Sequence, residues 1–223
     1  MRDREFKDAV FEQFARVGSA FASPKRLEVV DLLAQGPRSV ESIARQTSMT
    51  VANTSRHLQV LRSAGLVTSS RDAQRVIYRL TDPTVVDGYR SLRELAESRI
   101  AEVRQLAEAF FGEVDGVEPL DVAQLLERNE RGDVVVVDVR PREEYEAGHI
   151  AGALSVPLNE LSGRIAELPR GSTVVAYCRG PYCVLSAAAV RQLRAAGFDA
   201  QRLDAGVHEW RRAGCPIEIG VAS

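Results

Sequence analysis

The 223-residue sequence has only 3 cysteines, Cys178, Cys183 and Cys215, and all of them lie after residue 177. That is too few and too clustered for a secreted scaffold stapled by disulfides, so in a reducing compartment these thiols are either reactive or inert. No apolar run approaches the ~20 residues that a membrane span needs. The opening MRDREFKDAVFEQF mixes acids among its bases, where a secretory signal is basic and then greasy. Neither membrane insertion nor export is expected, and the expected location is the cytoplasm. There is no internal repeat and no low-complexity stretch. What remains is ordinary globular composition, 45% hydrophobic and 27% charged, at a length that suits two modest domains better than one large core.

The net charge of −2 hides an asymmetry. Residues 1–112 hold 17 Lys/Arg against 14 Asp/Glu, while residues 113–223 hold 12 against 17. Between Arg38 and Leu80, seven arginines face only Glu41 and Asp72, a surplus that suggests an anionic partner. The stretch GEVDGVE, with two glycines and several acids, interrupts a long helical pattern before Pro119 opens a new element. The expected division is a first domain over 1–112, a linker over 113–118 and a second domain over 119–223.

In the first domain, Phe6, Val10, Phe14, Val17 and Phe21 recur at helical spacing, and Pro24 opens a second helix. Gly36-Pro37 ends that helix, Ser39 caps a short third helix through Arg45, and a fourth runs from about Val51 to Ala64. Gly65 stops the fourth helix. LVTSS and RVIYRL then alternate around the polar turn Arg71-Asp72-Ala73-Gln74, as a hairpin does. This is the order of a winged helix-turn-helix. Its second turn helix would enter the major groove of double-stranded DNA with Asn53, Thr54, Ser55, Arg56 and Gln59, while Leu58, Val60 and Leu61 face inward. Arg71 and Arg75 on the hairpin would reach phosphates.

The run SIARQTSMTVANTSRHLQVLRSAGLVTSSRDAQRVIYRL resembles the ArsR-type winged-helix repressors over about residues 10–105. The resemblance implies a homodimer built from the first and last helices, bound to a pseudo-palindromic operator and released by an inducer. The apolar stripe Val86, Tyr89, Leu92, Leu95, Ile100, Val103, Leu106 and Phe110, within a long segment running to Phe111, is too extensive for a lone surface helix and supports a dimer independently. Many ArsR proteins hold metals through cysteines on the third helix or histidines and acids on the last. Here Ser39–Thr47 has no Cys and Val85–Phe111 no His. His57, the domain's one histidine, is assigned no metal, and no cofactor is expected.

The second domain opens with VVVVDVR over 134–140 and continues with TVVAYC over 173–178, apolar runs typical of strands buried on both faces of a parallel sheet. Helical patterns alternate with them, so an α/β fold is expected, with its ligand site beyond the carboxyl ends of the strands. Cys178 lies at one such end. The loop Cys178-Arg179-Gly180-Pro181-Tyr182-Cys183 leads into a helix, whose positive end and backbone N–H groups, with Arg179 adjacent, favour a thiolate. VVVDVRPREEYEAGHIAGALSVPL, VVAYCRGPYC and LDAGVHEWRRAGCPIE resemble the opening motif, active loop and closing motif of a single rhodanese domain. The resemblance implies that Cys178 takes a sulfane sulfur from a small donor and passes it to an acceptor thiol. It also implies that Asp138, Arg140, Glu144 and His149 organise the loop's surroundings. Trp210 is expected in the core, and Cys215 is read as a spectator.

Common rhodanese loops carry an arginine where this chain has Cys183, so efficient turnover of thiosulfate is not implied. A phosphatase-type loop is excluded, because it needs an arginine at position 184, which is valine. Cys183 can instead attack a persulfide on Cys178 and leave a disulfide or polysulfide bridge. The expectation is therefore a mainly-α winged helix-turn-helix followed by an α/β rhodanese-like domain, acting as a DNA-binding regulator that senses reactive sulfur. The alternatives are an active sulfurtransferase attached to a DNA-binding domain, or an arsenite-responsive repressor using both thiols.

Overall fold

A computed structural model describes residues 2–115 and 119–220, and the chain divides into two compact units, Met1–Arg99 and Ile100–Ser223. The first unit runs α1 (Asp3–Phe21), α2 (Pro24–Ala34), β1 (Arg38–Ser39), α3 (Val40–Gln46), α4 (Val51–Ser63), β2 (Val67–Asp72), β3 (Arg75–Leu80) and α5 (Thr84–Arg99). The caps expected from sequence are in place. Pro24 occupies the first turn of α2, and Ser39 Oγ accepts the Ser42 N–H at 3.2 Å to start α3. The Thr50 hydroxyl likewise accepts from Asn53 N at 3.2 Å to start α4.

Both turn helices end in the same way. At the end of α4, Gly65 takes a positive φ of 77° while Leu66 N–H reaches back to Leu61 O at 2.9 Å. At the end of α3, Ser48 takes a φ of 53° and Met49 N–H reaches back to Ala44 O at 2.9 Å. β1, β3 and β2 form an antiparallel sheet in that order. Asp72 pairs with Arg75 across a two-residue turn, with Ala73 at a φ of 50°. Val29, Val30, Leu33, Ile43, Leu58, Leu61, Leu66 and Val85 close the core.

The second unit runs α6 (Ala101–Asp115), α7 (Val122–Arg131), β4 (Val134–Asp138), α8 (Arg142–Ala147), β5 (His149–Ile150), β6 (Leu154–Ser155) and α9 (Leu161–Arg164). After a 3-10 turn it continues with β7 (Thr173–Tyr177), α10 (Val184–Ala195), β8 (Ala200–Arg202), α11 (Val207–Arg212) and β9 (Ile217–Glu218). β6, β4, β7 and β8 make a parallel sheet in that order, with Val136 opposite Val175 and Val175 opposite Gln201; β5 and β9 pair separately and antiparallel. The expected strands and the α/β class are therefore present. One buried cluster joins Val137, Val174, Ala187, Val190 and Leu193 with Phe111. A second joins Leu125, Val136, Val175 and Leu203 with Trp210, whose Nε1–H donates to Pro216 O at 2.9 Å.

The segment from Thr84 to Phe111 is not one helix, because it breaks at Ile100. α5 belongs to the first unit and α6 to the second, where Ala107 and Phe111 pack on the same cluster as α10. The compact units thus divide at 99/100, ahead of the boundary expected at residue 112. Residues 113–115 of the expected linker continue α6, and 116–118 lie outside the described residues. Among the described residues, no helix is long and apolar enough to cross a membrane.

Candidate functional site

β7 is buried along nearly its whole length by the continuous run Val174-Val175-Ala176-Tyr177, and it delivers Cys178 to the carboxyl edge of the parallel sheet. Cys178 is 1% exposed and belongs to the cluster that contains Val137, Ala187 and Phe111. Cys183 occupies the N-cap of α10, half-buried against that same cluster. The two are joined by a disulfide, with their Cα atoms 6.1 Å apart. Cys183 N–H donates to Gly180 O at 3.1 Å, so the intervening residues form a tight arc. Gly180 is buried, Pro181 half-buried and Tyr182 exposed on its outside.

Arg179 departs from its expected role. Its Nη2 and Nε donate to the Glu144 carboxylate at 2.6 and 3.0 Å, and Glu144 is fully buried on α8. The guanidinium charge is therefore compensated by a carboxylate, not left to favour an anionic sulfur. What remains is the positive end of α10, on which Cys183 sits directly. Backbone packing also shapes the loop from behind. A Cβ at Gly206, which precedes α11, would overlap the Arg179 carbonyl, so only glycine allows α11 to approach this closely.

The opening-motif residues hold the strand ends around this loop. Arg140 is buried and donates through Nη2 to Asp138 Oδ2 at 2.6 Å and to Gly148 O at 2.8 Å. Burial opposes its charge, but the hydrogen bonds and charge of Asp138 outweigh that and hold it more firmly protonated than free arginine. Tyr177, the residue before Cys178, donates its hydroxyl to Asp138 and accepts from Ile150 N–H at 3.1 Å. Burial, followed by the Asp138 charge, pushes the Tyr177 phenol well above its ordinary range, so it remains a neutral donor. The His149 ring stacks on Tyr145 with centroids 3.5 Å apart, and its Nδ1 lies 2.8 Å from Tyr145 O. Cys215 is half-buried with a free thiol.

On α4, Asn53, Arg56 and Gln59 are exposed and Ser55 is half-buried. Thr54 is the correction: it is 0% exposed, and its hydroxyl donates to Thr50 O at 3.0 Å, so it offers no base contact. The inward stripe is Thr54, Leu58 and Leu61, at steps of four and three. Val60, expected inward, is 41% exposed, because two residues beyond Leu58 is the far side of a helix. Arg71 and Arg75 are exposed on the β2–β3 hairpin. Sequence reasoning missed Gly206, Arg202 and Phe111. For Gly206 the signal was a glycine immediately before a helix start; for a buried arginine on β8 there was none.

Residues 23–69 match the family of bacterial regulatory proteins of the arsR type, and residues 121–213 match the rhodanese-like domain. HTH-type transcriptional regulator Rv0324 of Mycobacterium tuberculosis is 45% identical over 96% of this chain and 94% of its own length. A sulfurtransferase of Allochromatium vinosum is 34% identical over 38% of this chain and 78% of its own. A solved homodimeric winged helix-turn-helix DNA-binding domain from Mycobacterium bovis is 40% identical, with a TM-score of 0.42, over 45% of this chain and 91% of that one. With a relative aligned along nearly its whole length and a domain match in each half, the chain belongs to the ArsR-type transcriptional regulators that carry a C-terminal rhodanese-like domain.

Proposed function

We propose that this regulator binds operator DNA as a homodimer through Asn53, Ser55, Arg56 and Gln59, with Arg71 and Arg75 on phosphates, and that sulfane sulfur arriving at Cys178 changes that binding. The observation that carries the reading is the second thiol. Cys183 sits within bonding reach of Cys178 at the start of α10, in a loop whose arginine is neutralised by Glu144. In the first step the Cys178 thiolate attacks the outer sulfur of a persulfide donor R–S–SH, forming Cys178–S–SH and releasing RS⁻. In the second, the Cys183 thiolate attacks the Cys178 sulfur, expelling HS⁻ and closing the disulfide. The two thiols are oxidised by two electrons, and the sulfane sulfur leaves as sulfide. A device of this kind responds once per event, whereas an enzyme must keep its nucleophile free.

Mass spectrometry of the reduced chain treated with polysulfide tests the chemistry. The expected wild-type product is a 178–183 link. Cys183→Ser is expected to accumulate one extra sulfur on Cys178, and Cys178→Ser to form no such link. Added sulfur on Cys215 alone, or many thiosulfate turnovers per chain, contradicts the reading; the second outcome favours a sulfurtransferase.

A further inference from the structure

The sulfur loop has a buried partner that its chemistry does not use. Arg202 closes β8 with its side chain only 4% exposed. Its Nη1 donates to Pro181 O at 2.9 Å, in the middle of the loop, and to Asp204 Oδ1 at 3.1 Å. The same guanidinium lies 4.3 Å from the centroid of the Phe111 ring. Phe111 is on α6 and belongs to the buried cluster that contains Cys178. One planar cation therefore touches both the arc between the two thiols and the helix that follows Arg99 in the chain.

We propose that Arg202 couples the covalent state of the Cys178–Cys183 loop to α6, acting as a positioning residue and not in the sulfur chemistry. This rests on the proposed thiol chemistry but extends it to a route out of the loop. When the disulfide is reduced, two electrons and two protons pass to the thiols, the S–S bond is broken, and the crosslink that closes the arc between Cys178 and Cys183 is gone. The arc containing Pro181 is then released from its covalent restraint. A buried guanidinium needs its hydrogen-bond acceptors, so it follows the Pro181 carbonyl. Its attraction to the π face of Phe111 depends on ring geometry, so a reoriented guanidinium loosens or shifts Phe111. α6 is then held differently in the two states.

Hydrogen–deuterium exchange on the full chain tests this directly, comparing the disulfide form with the form reduced by dithiothreitol and following peptides from residues 101–115. Wild type is expected to show a change of about threefold or more in α6 exchange between the two states. R202Q and F111L are expected to abolish the difference, and F111Y, which keeps an aromatic face, to retain it. Equal α6 exchange in both wild-type states, or a full difference in R202Q and F111L, would overturn the proposal. Should R202Q not fold, F111L against F111Y carries the same test. Because the readout is exchange and not DNA affinity, failure of the proposed sulfur response at an operator is scored separately.

Discussion

Glu144 is buried completely, and its carboxylate has Arg179 as a hydrogen-bonding partner, so the ion pair spans from α8 to the residue after Cys178. Removing one member of such a pair leaves the other uncompensated, which costs far more than an exposed bridge contributes. Glu144→Gln should lower stability by about 3 kcal/mol, read as a drop in the urea midpoint; an unchanged midpoint would show that the pair is solvated. On α4, Arg56→Ala should weaken operator binding by about 1–3 kcal/mol. Thr54→Val should leave DNA affinity unchanged and cost about 1 kcal/mol of stability for the lost hydroxyl bond. The two variants together separate the exposed face from the inward stripe. Thr54 was misread from sequence because threonine's polarity suggests exposure. A hydroxyl that bonds the carbonyl four residues back needs no water, however, and burial then follows. The pairing of Arg179 with Glu144 was not legible for a related reason, since sequence adjacency to a cysteine says nothing about a carboxylate 35 residues away.

The helices and strands were the most legible features, because their punctuation is local. Ser39, Pro24 and Gly65 mark ends through single hydrogen bonds or one dihedral, and each acts where it was expected; Thr50 does the same for α4. The break at Ile100 was not legible. The apolar pattern continues through it, and the two helices show only in the backbone break and in the packing of Phe111 within the second unit. The turn between α3 and α4 offers an element-scale test. It uses the same closing motif as Gly65 but places Ser48 in the left-handed region. Ser48→Gly should raise stability by about 0.5–1 kcal/mol, as relief of the Cβ clash outweighs added freedom in the unfolded chain. A loss on thermal melting would mean the serine hydroxyl matters more than its dihedral. His57, on α4, is held below its ordinary pKa first by burial and then by Arg26 and Lys25. Its folded form therefore binds fewer protons than its unfolded form as pH falls below about 6.5, and stability declines in that direction. His57→Gln should flatten this part of the pH profile of wild-type melting.

For the whole molecule, the division at 99/100 makes a specific claim about what folds with what. A fragment starting at Ile100 keeps Phe111 in its core, and one starting at Pro119 does not. The shorter fragment should be less stable by about 3–5 kcal/mol, the usual cost of removing a buried phenylalanine; equal denaturation midpoints would return α6 to the first domain. Composition and motif order made the two-domain plan and both fold classes readable, whereas the state of the loop depends on contacts among Cys178, Cys183, Glu144, Gly206 and Arg202 that only the folded chain assembles. The most direct test of a sulfur-responsive regulator is operator affinity, measured by fluorescence anisotropy before and after polysulfide treatment in wild type and Cys178→Ser. The account predicts a change of about 100-fold in wild type, equivalent to ~2.7 kcal/mol of coupling, and none in the variant. Unchanged wild-type affinity, or an equal change in Cys178→Ser, would contradict it.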